Sequence, residues 1–166
     1  MVTAYDEGHT SSSSLPMTGC GRLRRGSFSM MHPTSRALIL KLWLARPEEI
    51  RYAPATEGAL GFFEKEFGPI PEDFRWFLAA CGGGVVASEW VDGIEQLAGS
   101  HRKHLREKKP DGWRANFFLI GWDGTGQPLG IDRATGEIVV EPEGSGAEVE
   151  RLSPSIEAFL LKGLID

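Results

Sequence analysis

The sequence is poor in cysteine. Its two cysteines, Cys20 and Cys81, lie far apart, the first in a segment rich in serine and glycine and the second within a helical pattern. Small secreted domains that depend on disulfides carry several cysteines at short, regular spacings, so this chain has no disulfide framework. A reducing compartment fits this cysteine content, and we expect a cytoplasmic protein.

Long apolar runs are also missing. The most apolar stretch, residues 38–44, is short and contains Lys41, whereas a helix that crosses a bilayer needs about 20 apolar residues. Arginines precede this stretch as in a targeting segment, but the Ala45-Arg46-Pro47 that follows is a poor cleavage site. The sequence predicts neither a signal peptide nor a membrane interaction.

An excess of basic residues, typical of proteins that bind nucleic acid, is absent. The formal net charge is -5 and the isoelectric point is about 5.4. Most of such a surface repels phosphate backbones and anionic lipids. We therefore expect no direct binding to nucleic acid.

Metal-binding and nucleophile motifs are scarce. Outside the N-terminal segment the only histidines are His101 and His104, whose spacing places both on one side of a helix but without a third ligand. A structural or surface histidine is the favoured interpretation, with a metal pair as the alternative. Cys81 has no neighbouring histidine or cluster of basic residues in the sequence that would activate it as a nucleophile.

Glycines and aspartates of the C-terminal half are better explained by turns than by catalysis. The glycines between 121 and 130 precede a strand, whereas a phosphate-binding loop opens a helix. Asp123 and Asp132 stand where turns favour aspartate, although the pair could also act as general acid and base in a small hydrolase. We predict no enzyme, and no cofactor, metal or small-molecule substrate.

Apolar residues are plentiful enough for one packed domain. Hydrophobic residues make up 41% of the 166 residues and charged residues 25%, which is ordinary for a globular protein. Residues 1–35 lack regularly spaced apolar positions and are predicted to be a disordered leader, with translation starting at Met30 or Met31 as a hypothesis. Residues 36–166 are predicted to form the domain.

Helices and short strands are predicted within this domain. Thr56 can cap a helix that continues to Phe67, and Pro71 can open a second helix that ends at a glycine triplet. Further helical patterns occupy 94–109 and the C-terminus, the latter starting at Ser153-Pro154. Strands are expected at 85–87, 117–122, 129–131 and 138–140, the last three as an antiparallel meander. Helices segregated from such a meander define an α+β fold.

Residues 36–46 are predicted to form a further helix that is apolar on nearly every side. Such a helix must be covered either by the domain itself or by a partner. Trp76, on the second helix, points away from the apolar face formed by Phe74, Phe77 and Leu78. It is either covered by residues 38–44 or exposed as an anchor for a partner.

Three strings carry a resemblance to a known family: "FEKEFGPIPEDFRWFLAACGGG", "FFLIGWDGTGQPLGIDRATGEIVV" and "RLSPSIEAFLLKGL". In this order and spacing, over residues 55–164, the chain resembles the SUKH superfamily (SMI/KNR-like domains). The resemblance implies helices packed on a curved sheet. Bacterial members are mostly immunity proteins that neutralise toxins, often nucleases, and a fungal branch regulates cell-wall assembly. Cys81-Gly82 replaces the usual Asn-Gly, and residues 94–109 are more helical and basic than expected.

Tryptophans next to acidic residues suggest a protein-binding face. The alternative is that these tryptophans belong to the core and that the acidic residues are merely solvated. A basic nuclease toxin would suit an acidic, aromatic face, which steers the encounter. We therefore expect an immunity protein that binds a cognate toxin stoichiometrically; the alternative is a regulatory or scaffold module docking on an endogenous enzyme. The candidate partner-binding residues are Trp76, Glu89, Trp90, Asp92, Trp122, Asp123 and Asp132.

Overall fold

A computed structural model describes residues 30–106, 116–141 and 149–165, with the side chains of 104–106 excepted. The predicted leader lies outside these ranges up to residue 29, and the C-terminal end of the predicted helix 94–109 also lies outside them. Met31 is already buried, and the first helix begins at Pro33, three residues before the predicted start.

Five α-helices, one short 3-10 helix and six strands make up the described part of the chain. In chain order they are α1 (Pro33–Leu44), the 3-10 helix (Glu48–Ile50), α2 (Glu57–Phe67), α3 (Glu72–Ala80), β1 (Gly84–Val86), β2 (Glu89–Val91), α4 (Ile94–Arg106), β3 (Phe117–Trp122), β4 (Pro128–Asp132), β5 (Ile138–Val140), β6 (Glu150–Ser153) and α5 (Ile156–Ile165).

The predicted boundaries of α2 and α3 are confirmed. The Thr56 hydroxyl accepts a hydrogen bond of 3.2 Å from the backbone N–H of Ala59, which satisfies one of the free donors at the start of α2. Pro71 precedes the first turn of α3, where its missing N–H costs nothing. Phe74 and Phe77 are fully buried, as the spacing of apolar residues predicts.

All six strands form one antiparallel sheet in which each strand pairs with its neighbour in sequence. Irregular registers in β3, between Leu119 and Gly121, and in β5, between Ile138 and Val139, mark bulges that bend strands. Helices pack on the sheet around a single core. The predicted α+β fold with a curved antiparallel sheet is confirmed, but β2 and β6 were not predicted as strands.

α1 is covered on one side by the domain itself. The indole N–H of Trp43 donates a hydrogen bond of 2.8 Å to the carbonyl oxygen of Cys81, and its ring contacts Phe77 edge to face. At the start of α1, the hydroxyl of Ser35 donates a hydrogen bond to the carboxylate of Glu157 in α5. The described helices include none that is long and apolar enough to cross a membrane.

Candidate protein-binding surface

Two tryptophans form a cross-strand pair on neighbouring strands. Trp90 of β2 lies directly opposite Trp122 of β3 in the antiparallel register, so both side chains leave the same face of the sheet. The Trp90 side chain is 47% exposed. Trp122 is half-buried. The ammonium group of Lys103 lies 6.0 Å from its ring centre, and its indole N–H donates a long hydrogen bond of 3.4 Å to the Ser100 hydroxyl.

Glu89 connects the two hairpins beside this pair. One of its carboxylate oxygens accepts a hydrogen bond of 3.0 Å from the backbone N–H of Gly124, in the β3–β4 turn. The other oxygen accepts a hydrogen bond of 2.7 Å from the hydroxyl of Ser88, in the β1–β2 turn. The carboxylate is therefore fixed where the two turns meet, one residue before Trp90 in the sequence.

Asp123 organises the β3–β4 turn. Its carboxylate accepts hydrogen bonds of 2.8 and 2.7 Å from the backbone N–H groups of Thr125 and Gln127. Slight burial raises the pKa of Asp123, but these hydrogen bonds and the one from the Thr125 hydroxyl outweigh it, so the pKa lies below its usual value. Asp123 therefore stays negatively charged at neutral pH, in the turn whose Gly124 N–H is bound by Glu89.

Asp92 does not belong to an exposed surface. Its side chain is only 5% exposed, and the hydroxyl of Ser100 donates a hydrogen bond of 2.6 Å to it. Burial raises the pKa of Asp92 to about 6, with the hydrogen bond acting in the opposite direction. The prediction that Asp92 contacts a partner is corrected for this reason: the β2–α4 connection turns the carboxylate inward.

Asp132 lies at the opposite end of β4 from the tryptophan pair. Trp122 pairs with Pro128, at the start of β4, whereas Asp132, at its end, pairs with Phe117. Four residues of strand separate the two ends by about 13 Å. The Asp132 carboxylate accepts a hydrogen bond of 2.7 Å from the N–H of Ala134, which is the turn role that the sequence favoured. The structure therefore does not bring Asp132 together with Asp123.

Trp76 packs beside α1 and not at the hairpins. It is half-buried, and the guanidinium of Arg36 lies 5.3 Å from its ring centre. Arg36 is held there by a salt bridge of 2.9 Å to Asp73. Of the two alternatives for Trp76, coverage by the domain fits the structure better than full exposure. The contact on its ring comes from Arg36, at the start of α1, and not from residues 38–44.

His101 is a structural histidine. Its Nε2 atom lies 3.0 Å from the carbonyl oxygen of Leu119, and its ring packs against the rings of Phe63, Phe67 and Phe118. Burial lowers the pKa of His101, so the imidazole is neutral at physiological pH. Within the described residues no group of three or more potential metal ligands occurs; the side chain of His104 lies outside them.

The Cys81 thiol is unsuited to nucleophilic chemistry. The residue is buried behind the Trp43 indole, and burial raises the pKa of the thiol to about 12. A thiol with such a pKa remains protonated, whereas reactive cysteines are thiolates.

Of the candidate residues, Glu89, Trp90, Trp122 and Asp123 lie at the same end of the sheet, where the β1–β2 and β3–β4 turns meet, and Lys103 of α4 lies beside Trp122. Sequence reasoning missed Lys103 because it lies on α4, 19 positions before Trp122 in the sequence. Only the packing of α4 on β3 brings the two together.

Comparison with known sequences identifies the family. A search of curated proteins finds no match. The sequence profile of the SMI1 / KNR4 family (SUKH-1) matches residues 54–162, which is more than half of the 166-residue chain and nearly the range of the resemblance noted from the three strings. With its helices and curved antiparallel sheet, the chain therefore belongs to the SMI1 / KNR4 family (SUKH-1), within the SUKH superfamily.

Proposed function

We propose that this protein is an immunity protein that binds a cognate bacterial toxin stoichiometrically in the cytoplasm, and that the toxin is of the nuclease type. The SMI1 / KNR4 family is known for toxin immunity or regulatory roles, exercised through protein–protein interaction, and its domains are generally non-catalytic. The observation that carries the proposal is the half-exposed Trp90, paired with Trp122 at the end of the sheet where the Glu89 carboxylate joins the β1–β2 and β3–β4 turns.

Trp90 supplies the apolar anchor of the interface. A tryptophan side chain offers up to about 250 Å² of surface, so roughly 100 Å² remains to be buried at 47% exposure. At about 25 cal/mol per Å² this burial contributes roughly 2–3 kcal/mol to binding. Such a contribution is typical of the few residues that dominate an interface.

The two carboxylates supply charge selectivity. A nuclease binds the phosphate backbone with a basic groove, and fixed negative charges next to an aromatic anchor are complementary to that groove. Glu89 accepts hydrogen bonds from both turns, and Asp123 accepts them from its own β3–β4 turn. Little side-chain entropy is lost when they meet a partner, because they are already ordered.

Co-expression tests the proposal. The toxin encoded by the adjacent gene is expressed with the wild-type protein, growth is recorded, and the affinity of the purified pair is measured by isothermal titration calorimetry. Wild-type protein rescues growth and forms a one-to-one complex. Trp90→Ala weakens binding by roughly 30- to 150-fold, the equivalent of 2–3 kcal/mol, whereas the matched control Leu44→Ala, which truncates a 61% exposed side chain on α1, leaves affinity unchanged.

The contribution of the carboxylate charges to binding is tested by a separate measurement. Glu89→Gln retains an oxygen that can accept the hydrogen bond from Gly124 but removes the charge. We expect a slower association rate with a weaker salt dependence and a nearly unchanged dissociation rate. Absence of both rescue and complex formation would contradict the immunity function. Specific capture of a housekeeping enzyme that Trp90→Ala abolishes would instead support the regulatory alternative.

A further inference from the structure

The outward side of α2 carries an exposed aromatic residue that the proposed function does not use. Phe62 is 67% exposed, the largest exposed fraction among the large hydrophobic side chains of the described residues. The opposite side of α2 is buried through Leu60 and Phe63. Glu57, Gly58, Gly61 and Lys65 are exposed together with Phe62, so this side of the helix has no partner within the described part of the domain.

Charges on this side are arranged so that they complement a second copy of themselves. Glu57, Gly61 and Lys65 follow one another at intervals of four residues and form one stripe along α2. If a second α2 crosses antiparallel at Gly61, Lys65 of each copy lies opposite Glu57 of the other copy. A two-fold axis therefore produces two ion pairs from one contact.

The local ion pairs leave a net negative charge beside this stripe. Arg75 binds both carboxylate oxygens of Glu57, at 2.7 and 3.3 Å, and also contacts the Glu64 carboxylate at 3.2 Å. Glu57 and Glu64 carry two negative charges against the one positive charge of Arg75, so one net negative charge remains on α2. Lys65 forms no salt bridge among the residues that the structure describes. Lys65 of one copy can therefore approach the acidic residues of the other copy without breaking an ion pair of its own.

The two glycines permit close approach. Neither Gly58 nor Gly61 is among the positive-φ glycines, and a Cβ atom at Gly61 would meet nothing within 4 Å. In this protomer, therefore, neither the backbone conformation nor packing requires glycine at position 61, although glycine weakens a helix relative to alanine. The missing Cβ atoms do, however, let another helix approach this side of α2 more closely than alanine would.

We propose that α2 is a self-association surface, on which a second copy of this chain packs its own α2 antiparallel across Gly61. Phe62 of each copy lies over Gly58 and Gly61 of the other, and the two Glu57–Lys65 pairs set the orientation. An 11-residue helix is about 16 Å long, so the contact stays at the small end of protein interfaces and the dimer is weak.

Sedimentation equilibrium on the full chain, from about 5 to 500 µM, covers the range expected for such a contact. The wild-type protein changes from monomer to dimer within this range. Phe62→Ser raises the dissociation constant at least about tenfold. The matched control is Ile165→Ser on α5, which removes a side chain of nearly equal exposure, 65%, and leaves the dissociation constant unchanged.

Gly61→Ala separates self-association from a purely local effect. Alanine stabilises an exposed helix relative to glycine, so the melting temperature of the monomer at low concentration rises. The added methyl group holds the two helices apart, so the dissociation constant rises about tenfold. A variant that is more stable and also associates as well as the wild type contradicts the close approach.

A charge exchange tests the antiparallel orientation. Lys65→Glu alone and Glu57→Lys alone each place like charges opposite one another in a homodimer, and each is expected to be monomeric. Mixed together, the two variants restore both ion pairs, so they form a heterodimer of about wild-type affinity. Circular dichroism confirms that each variant is folded, and Phe62→Ser and Gly61→Ala decide the question should one of them unfold.

The proposal is overturned by a monomer over the whole concentration range, by equal effects of Phe62→Ser and Ile165→Ser, or by a mixture of charge variants that stays monomeric. Loss of toxin binding in Phe62→Ser without loss of self-association would also overturn it, since α2 would then be a surface for another protein. The outcome for α2 is independent of the tests of Trp90.

Discussion

Replacing the buried Asp92 with asparagine is expected to remove a loss of stability that the wild-type protein undergoes as the pH rises to neutral. Burial raises the pKa of this carboxyl from 3.8 to about 6, so the folded state binds the proton more tightly than the unfolded state. The contribution to the free energy of unfolding is fully present below about pH 3.8 and is lost as the pH rises through about 6. A shift of this size corresponds to about 3 kcal/mol, and about 2 kcal/mol of it is lost between pH 4.5 and 7.5.

The asparagine variant removes the charge but keeps the shape and an oxygen that can accept the hydrogen bond from Ser100. Urea unfolding of both proteins is measured at pH 4.5 and pH 7.5. Relative to the wild type, Asp92→Asn should gain about 2 kcal/mol more at pH 7.5 than at pH 4.5. Titrations common to both proteins cancel in this double difference. An uncompensated amide N–H lowers the stability of the variant by a similar amount at both pH values.

Gln96→Ala serves as the control, because Gln96 is an exposed, uncharged side chain in the first turn of α4, the helix that follows Asp92. The substitution changes no titratable group, so its stability difference from the wild type should not change between the two pH values. The reasoning is refuted if the Asp92→Asn difference is equally independent of pH. The ionised carboxylate would then be compensated in the folded state, and burial would not dominate its energetics.

Three further substitutions test the packing of the hairpin and of α1. Ala87→Gly should gain about 0.5–1 kcal/mol in thermal unfolding, because Ala87 adopts a φ of 53° in the β1–β2 turn. Gly163→Ala should lose about 1–3 kcal/mol in the same assay, because the new Cβ would lie 2.6 Å from a methyl group of Val86; an unchanged melting temperature would contradict this contact. Trp43→Phe should lose about 2–3 kcal/mol in urea unfolding, since the carbonyl of Cys81 loses its 2.8 Å hydrogen bond, and a loss below about 1 kcal/mol would show that water replaces the indole.

Sequence reasoning located the helices better than the strands. Thr56 and Pro71 are local signals, because a cap and a first-turn proline act within one turn of the chain. β2 has only three residues, too few to show the alternation that identifies a strand. β6 lies next to α5, and its sequence, Glu-Arg-Leu-Ser, has a single apolar residue. Pairing with β5 stabilises it, and a single sequence does not show that pairing.

The candidate surface was predicted only in part for a related reason. Trp90 and Trp122 were singled out by residue type, but their pairing depends on the register of β2 and β3. Asp92 is adjacent to the same strand, and an acidic residue after a strand usually faces water. Its burial follows from the sharp connection into α4, with Gly83 so close that a Cβ there would lie 2.7 Å from the carbonyl oxygen of Asp92. Local sequence patterns do not reveal such backbone contacts between distant residues.

The packing of α1 on α5 has a consequence for synthesis of the protein. Ser35 and Glu157 are separated by 122 positions, and translation at about 5–20 residues per second needs roughly 6–25 s to cover that distance. The sheet pairs only consecutive strands, so it can assemble as the chain leaves the ribosome. The side of α1 that faces α5 must wait for α5 to emerge, which leaves a nascent-chain surface that chaperones can recognise.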